Sequence, residues 1–361
     1  MESSTVRART RYLEGRTVGC LFLASELQWV RENTRKENAM LVPMKNAKTR
    51  KEIPIFFSTD DNYIPFLDVA VRSLVLHASS ENRYRIIVLN TGLKEENVRL
   101  VKANETDFVT VEFLDISEKV EKIKSHFKNI YHFSVVTYYR LFIASLFPEY
   151  GKVIYLDCDL VVLDDVAKLY DTDLEGNILG GARENFIYTT PEFRRYAKEA
   201  VGVDPADYIN AGVLLIDLDA FRRARIEETF VRLIKTYNFD TVDPDQAYLN
   251  FLCRGKIKML SSAWNKEPLE KTEGEYIGIM HYALYKKPWQ YGDVLYGECF
   301  WEYAEKSPFY REILRIRNAF DDAARASREA AAVEIKQHAM RIVHSGKSFF
   351  RTLVLRQMGA R

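Results

Sequence analysis

A regular alternation of strand-like apolar runs with helix-spaced apolar positions begins at residue 53. The run 53-IPIFFS-58 is nearly all apolar, which reads as a strand buried on both faces. It leads into 59-TDDNY-63 and then into Phe66, Val69, Ala70, Ser73 and Leu74, the i, i+3, i+4 spacing of a helix. The same alternation then repeats: 84-YRIIVL-89 predicts a strand, 94–104 a helix and 109-VTVEFL-114 a strand. A helix over 134–147 precedes the strand 152-KVIYL-156. Beyond it, 178-ILGGA-182 and 211-AGVLLIDL-218 read as strand-like segments, with helices near 219–236 and 244–253. Residues 305–345 are rich in Ala and charge and read as helical. Strands alternating with helices predict an α/β fold whose parallel sheet is covered on both faces.

In such a sheet, ligands bind outside the carboxyl ends of the strands. Asp60 and Asp61 end the first predicted strand, and Asp157 and Asp159 end the one at 152–156, so both acidic sets open on one rim. Two carboxylates at i and i+2, where strand alternation breaks down, can converge on one ion; hard oxygen donors suit Mg²⁺ or Mn²⁺, often completed by substrate phosphates. Downstream, 279-IMHYALYKKPW-289 offers His281 as a third ligand acceptable to Mn²⁺ and Lys287 as a point charge for a phosphate. Each residue has a plainer reading. D-x-D can be a polar strand end, His281 a satisfied core histidine, and Asp60–Asp61 the cap of the following helix.

Composition narrows the classes. The chain has 361 residues, 47% hydrophobic and 29% charged, with a net charge of +1, so overall charge points to neither nucleic acid nor membrane, and no nucleic-acid partner is expected. Cys20, Cys158, Cys253 and Cys299 are widely spaced, which argues against a zinc site or a disulfide framework and for a reducing, cytoplasmic setting. No apolar stretch reaches the roughly 18 residues of a membrane span. The segment 17–30 follows four arginines but contains Glu26 and lacks a small-residue cleavage site, so secretion is not expected. Residues 1–51 carry eleven Lys/Arg against five Glu and read as a basic extension. After Glu334 there is no acidic residue, while Lys336, Arg341, Lys347, Arg351, Arg356 and Arg361 follow. With Ile342, Val343, Phe349, Phe350, Leu353, Val354 and Met358 largely on one helical face, this tail is expected either to lie on an anionic inner-leaflet surface or to dock on the domain.

Six segments, 57-FSTDDNY-63, 132-HFSVVTYYRLFIASLFP-148, 153–177, 209-INAGVLLIDLDAF-221, 244-PDQAYLN-250 and 281-HYALYKKPW-289, occur in the order and at the spacings of family 8 glycosyltransferases. The chain resembles that family, which includes bacterial lipooligosaccharide galactosyltransferases and glycogenin. The resemblance implies a single Rossmann-like nucleotide-diphospho-sugar transferase domain over 52–305, with a helical, basic region over 306–361. It implies transfer of galactose or glucose from a UDP-sugar, with retention, to a glycan or lipid-linked glycan, in the presence of Mn²⁺ or Mg²⁺. It assigns Asp157, Asp159 and His281 to the metal, Asp60 and Asn62 to the nucleotide, and His132 and Arg140 to the donor. Asn210 faces the transfer centre, Asp245 the sugar hydroxyls and Gln246 the anomeric carbon, while Lys287 holds the diphosphate and Glu184 stands on the acceptor side. The family's H-x-x-G has Leu284 in place of Gly.

Three rivals remain. A haloacid-dehalogenase-like phosphatase shares the strand–D-x-D motif but places it on its first strand with a hydroxyl residue where Val161 stands. A glycogenin-like self-glucosylating enzyme and an inactive sugar-nucleotide-binding protein are the other two.

Overall fold

A computed structural model describes residues 50–127, 135–283 and 285–355. His132, Leu284, the extension before residue 50 and the tail from 356 lie outside these residues. The strands are β1 (Lys51–Ser58), β2 (Asn82–Asn90), β3 (Val109–Asp115), β4 (Lys152–Leu156), β5 (Leu160–Val162), β6 (Leu179–Arg183), β7 (Ile209–Asp217), β8 (Ile257–Met259) and β9 (Ile279–His281). Seven of them form one sheet in the order β3-β2-β1-β4-β7-β6-β8, and β5 pairs with β9 apart from it. β1 to β4 run parallel, β7 runs antiparallel to both its neighbours, and β8 is parallel to β6. The expected α/β fold with a mainly parallel sheet is therefore present, with one reversed strand.

The period-2 alternation of strands divides this sheet between two cores. Phe56, Val153, Tyr155, Leu214 and Ile216 face one, while Ile55, Phe57, Ile154, Leu156, Val213 and Leu215 face the other. Both faces are covered, which is why these strands read as continuous apolar runs rather than alternating ones.

Among the described residues, the α-helices of eight or more residues are α1 (Ile64–His77), α2 (Glu95–Lys102), α3 (Ile226–Thr236), α4 (Pro244–Leu252), α5 (Gly297–Ala304), α6 (Tyr310–Ala319) and α7 (Asp322–His344). Two predicted helices come out differently. Residues 135–142 wind as a 3-10 helix before a short α-turn at Ile143–Leu146, consistent with the β-branched run Val135-Val136-Thr137, which disfavours an α-helix. The helix expected over 219–236 breaks at Arg225, whose φ of 53° is left-handed.

The C-terminal region is helical as expected, divided at Phe320–Asp321, where the Asp321 carboxylate accepts from the Ala324 amide at 2.8 Å and caps α7. The single amphipathic helix expected beyond Glu334 does not form. α7 ends at His344, and Ala339, Ile342, Val343 and Phe349 are buried in the larger core, where the Phe349 ring lies 4.3 Å from Phe239 and 4.8 Å from Tyr248. Ile342, Val343, Phe349, Leu353 and Val354 of the apolar stripe thus pack on the protein itself, the docked alternative, while Met358 lies outside the described residues. No described helix is long and apolar enough to cross a membrane.

Candidate active site

β4 delivers Asp157 and Asp159 to the carboxyl rim of the sheet. Because β7 is antiparallel to β4, with Val213 opposite Leu156, the start of β7 reaches the same rim, and the Asp157 amide donates to the Gly212 carbonyl at 2.8 Å. Asn210 therefore joins Asp157 from the opposite end of its strand. After Asp159 the chain enters β5, which pairs Leu160 with His281 of β9, and the Tyr282 amide donates to the Asp159 carbonyl at 2.9 Å. This two-stranded ribbon brings the histidine to the D-x-D. One donor atom from each of Asp157, Asp159 and His281 lies within 4.8 Å of the others. Gly212 makes the room: a Cβ there would overlap His281 Cε1 and stand 2.8 Å from Asp157 Oδ2.

Partly buried carboxylates at a strand end need counter-charges, and the chain supplies two. Arg140 Nη2 donates to Asp157 Oδ1 at 2.8 Å, and its guanidinium stacks 4.2 Å from the Tyr155 ring, whose hydroxyl donates to the same oxygen at 3.0 Å. Lys287 Nζ donates to Asp159 Oδ2 at 2.6 Å, and His281 Nε2 is 3.1 Å from Asp159 Oδ1. Burial raises the Asp159 pKa, but Lys287 and His281 overcome it and hold the carboxyl well below its ordinary range. Burial also works against the charge of Arg140, yet Asp157 and Asp245 keep it firmly protonated. Arg140 Nε is 3.0 Å from Asp245 Oδ2, so one arginine ties two candidate site residues together.

Hydrogen bonds fix the imidazole. Asn265 Nδ2 donates to Asn210 Oδ1 at 2.9 Å, leaving Asn265 Oδ1 to accept from His281 Nδ1 at 2.8 Å. Nδ1 therefore carries a proton, and Nε2 is the nitrogen that faces the carboxylates and would be left to a cation there, the arrangement a metal-ligating histidine requires. The network continues: Asn210 Nδ2 donates to Glu184 Oε2 at 2.6 Å, and Asn210 Oδ1 accepts from the Gly212 amide at 2.9 Å. Two carboxylates and an imidazole oriented through its Nδ1–H, with a glycine clearing the space, fit a hard or borderline divalent cation.

Gln246, in the first turn of α4, accepts from the Ala211 amide at 2.9 Å and donates to Asp243 Oδ2 at 3.1 Å. Asp243 also accepts from Tyr196 at 2.8 Å and Tyr208 at 2.5 Å. Burial raises the Asp243 pKa to about 7 against these hydrogen bonds. Burial, and then Glu184, push the Glu267 carboxyl well above its ordinary range. Asp243, Asn265 and Glu267 were not anticipated from sequence. Asp243 directly precedes the quoted 244-PDQAYLN-250, whereas Asn265 and Glu267 lie in 261-SSAWNKEP-268, which has neither periodicity nor motif to mark it.

A cavity of about 620 Å³ opens over this centre, lined by Asp157, Asp159, His281, Asn210, Gln246 and Glu184 on one side. On the other side α7 contributes Ala324, Arg328, Ala331 and Ile335. Asp60 and Asn62 sit on the β1–α1 loop, where Asp60 Oδ1 accepts from the Asn62 and Tyr63 amides at 3.0 and 3.2 Å. Neither borders this cavity, although Tyr63 does. Asp60 holds a turn, and the residue at the helix cap itself is Tyr63, without a side-chain cap.

The model of the family described as Glycosyl transferase family 8 matches residues 54–293. The chain belongs to this family. A Haemophilus influenzae protein described as a glycosyltransferase is 25% identical over 296 residues, covering 74% of this chain and 88% of its own. The galactosyltransferase LgtC, solved with donor and acceptor sugar analogs, superposes with a TM-score of 0.58 at 29% identity, over 71% of this chain and 96% of that one. The fold is shared with the bifunctional glycosyltransferase WbbM, TM-score 0.64 at 23% identity, over 76% of this chain and 53% of that one. Like LgtC, this family 8 chain has a mixed α/β domain, with α5, α6 and α7 following the matched residues.

Proposed function

We propose that the chain transfers a hexose, galactose or glucose, from a UDP-sugar to a hydroxyl of a glycan acceptor, with retention of configuration and with a divalent cation, Mn²⁺ or Mg²⁺. The observation that carries this reading is the convergence of Asp157, Asp159 and His281 over Gly212 at the rim of a family 8 fold. A cation held by these three side chains would supply Lewis-acid stabilisation to a diphosphate leaving group.

The remaining roles belong to the protein. Lys287 adds a fixed positive charge beside Asp159, an electrostatic contribution preorganised for the charge that develops as the glycosyl–phosphate bond breaks. Arg140 holds Asp157 and Asp245 in register, leaving Asp245 facing the cavity to meet sugar hydroxyls. Gln246 has its amide oxygen on the Ala211 N–H and its NH₂ on Asp243, so it is oriented but not basic, which favours stabilising a cationic sugar over attacking it. In the step so supported, the C1–O bond to the diphosphate breaks with its electron pair on the leaving oxygen. The acceptor hydroxyl attacks C1 from the same face and gives its proton to that oxygen. Asn210 faces the transfer centre, Glu184 stands on the acceptor side, and the β1–α1 loop carrying Asp60 and Asn62 receives the nucleotide.

The test is UDP release from a panel of UDP-sugars, with and without Mn²⁺, beside Asp159→Ala. Mn²⁺-dependent hydrolysis of one donor, absent from the variant, would support the reading and name the sugar. Absence of both turnover and Mn²⁺-dependent UDP binding by calorimetry would refute it.

A further inference from the structure

We propose that Arg328, on α7, is a donor-binding residue that engages the diphosphate together with Lys287, so that the C-terminal helix forms part of the donor site. This rests on the nucleotide-sugar reading above. Arg328 lies outside the residues the family model matches, and none of the six resemblance segments contains it.

The geometry is specific. The face of α7 that borders the cavity is made of Ala324, Ser327, Ala331, Ala332 and Ile335, small or apolar throughout, with Arg328 its one charged member. The guanidinium is anchored by Nε, which donates to the Tyr285 carbonyl at 2.7 Å, and Tyr285 belongs to the segment that runs from His281 to Lys287. Among the described residues no carboxylate lies within 4.0 Å of Arg328 to pair with it. An arginine fixed through Nε keeps its two terminal nitrogens directed elsewhere, a geometry suited to phosphate oxygens. Arg328 also shares its field with the centre. Burial lowers the Lys287 pKa, Asp159 opposes that, and Arg328 lowers it further.

Two like charges that feel each other's field repel unless an anion joins them. Asp159 answers Lys287, but nothing comparable answers Arg328. A diphosphate bound beside the D-x-D would meet both cations, and its arrival would tighten α7 onto the segment carrying Tyr285.

The experiment measures binding of UDP and of uridine, in Mn²⁺, to the full chain and to Arg328→Ala, Arg328→Gln and Arg328→Lys, with thermal unfolding as a control. Arg328→Gln retains an N–H for Tyr285 but removes the charge. UDP affinity is expected to fall about ten- to a hundredfold in the Ala and Gln variants, as for a lost charge-assisted hydrogen bond, and less in Lys. Uridine affinity should hold in all three. Unchanged UDP affinity in Arg328→Gln, or equal weakening of UDP and uridine, would overturn the proposal and leave Arg328 as a tie between α7 and Tyr285. Failure of the unaltered chain to bind UDP would instead overturn the functional reading, and this inference with it.

Discussion

Asp157 and Asp159 sit against Arg140 and Lys287, whereas Glu184, Asp243 and Glu267 lie buried among tyrosines and amides. Burial acts on both sets, and the outcome differs because only the first has cations at hydrogen-bond distance. Asp159 is held ionised, while Asp243 and Glu267 are pushed toward the neutral form. The comparison separates two uses of a buried acid. An ionised pair is ready to exchange its protein cation for another, whereas a neutral acid acts as a hydrogen-bonding strut.

The strongest way to break this comparison is to remove one acid from each set. Asp159→Ala leaves the Lys287 ammonium buried without its partner, which costs about 3 to 5 kcal/mol when a buried pair is broken. Glu267→Gln replaces a neutral acid by a neutral amide of nearly the same shape and should cost far less. Urea denaturation at neutral pH measures both. Adding Lys287→Met to Asp159→Ala should recover most of the stability without restoring donor hydrolysis. Equal losses from Asp159→Ala and Glu267→Gln would end the distinction between the two sets.

The next test sharpens the ionised side. Asn265→Leu removes the acceptor that keeps the proton on His281 Nδ1 and lets the ring turn. Loss of such an outer partner lowers metal affinity about 10- to 100-fold. Mn²⁺ titration followed by the shift in unfolding temperature reads this directly, with little change expected in the metal-free protein's secondary structure. An unaltered Mn²⁺ response would mean that the ribbon pairing of β5 with β9 alone orients His281.

These residues also divide by how they could be read from sequence. Asp157 and Asp159 were legible because an apolar run that stops at two acids is a local signal, and His281 because it ends another such run. The partnership between them depends on two three-residue strands whose pairing joins segments more than a hundred positions apart, and so short a pair leaves no periodic trace. The reversed direction of β7, which carries Asn210 to the rim, likewise depends on the sheet rather than on its own apolar pattern. Asn265 and Glu267 have no regular element around them. The apolar stripe near the C-terminus was visible in the sequence, but which surface covers it was not: an apolar face on a helix looks alike whether a membrane or a neighbouring core receives it.

The smallest expected effect concerns the neutral set, through pH. Asp243 has a folded pKa of about 7, against roughly 3.9 in an unfolded chain. The folded state therefore holds this proton more tightly, so the contribution is fully present below about pH 4, declines as pH rises toward 7 and is constant above it. Asp159 has the opposite sign: its pKa is depressed on folding, and its contribution persists until pH falls through the ordinary carboxylate range and below. Asp243→Asn removes the first dependence and leaves the second. The stability advantage of the native residue over Asn should then shrink between pH 5 and pH 8, measured as the difference in unfolding temperature of the two proteins at each pH. A difference that stayed flat, or grew with pH, would mean that Asp243 is ionised in the folded protein and that its three hydrogen-bond donors outweigh its burial. That result would move Asp243 into the same class as Asp159, stabilised by the groups around it rather than neutralised by their absence.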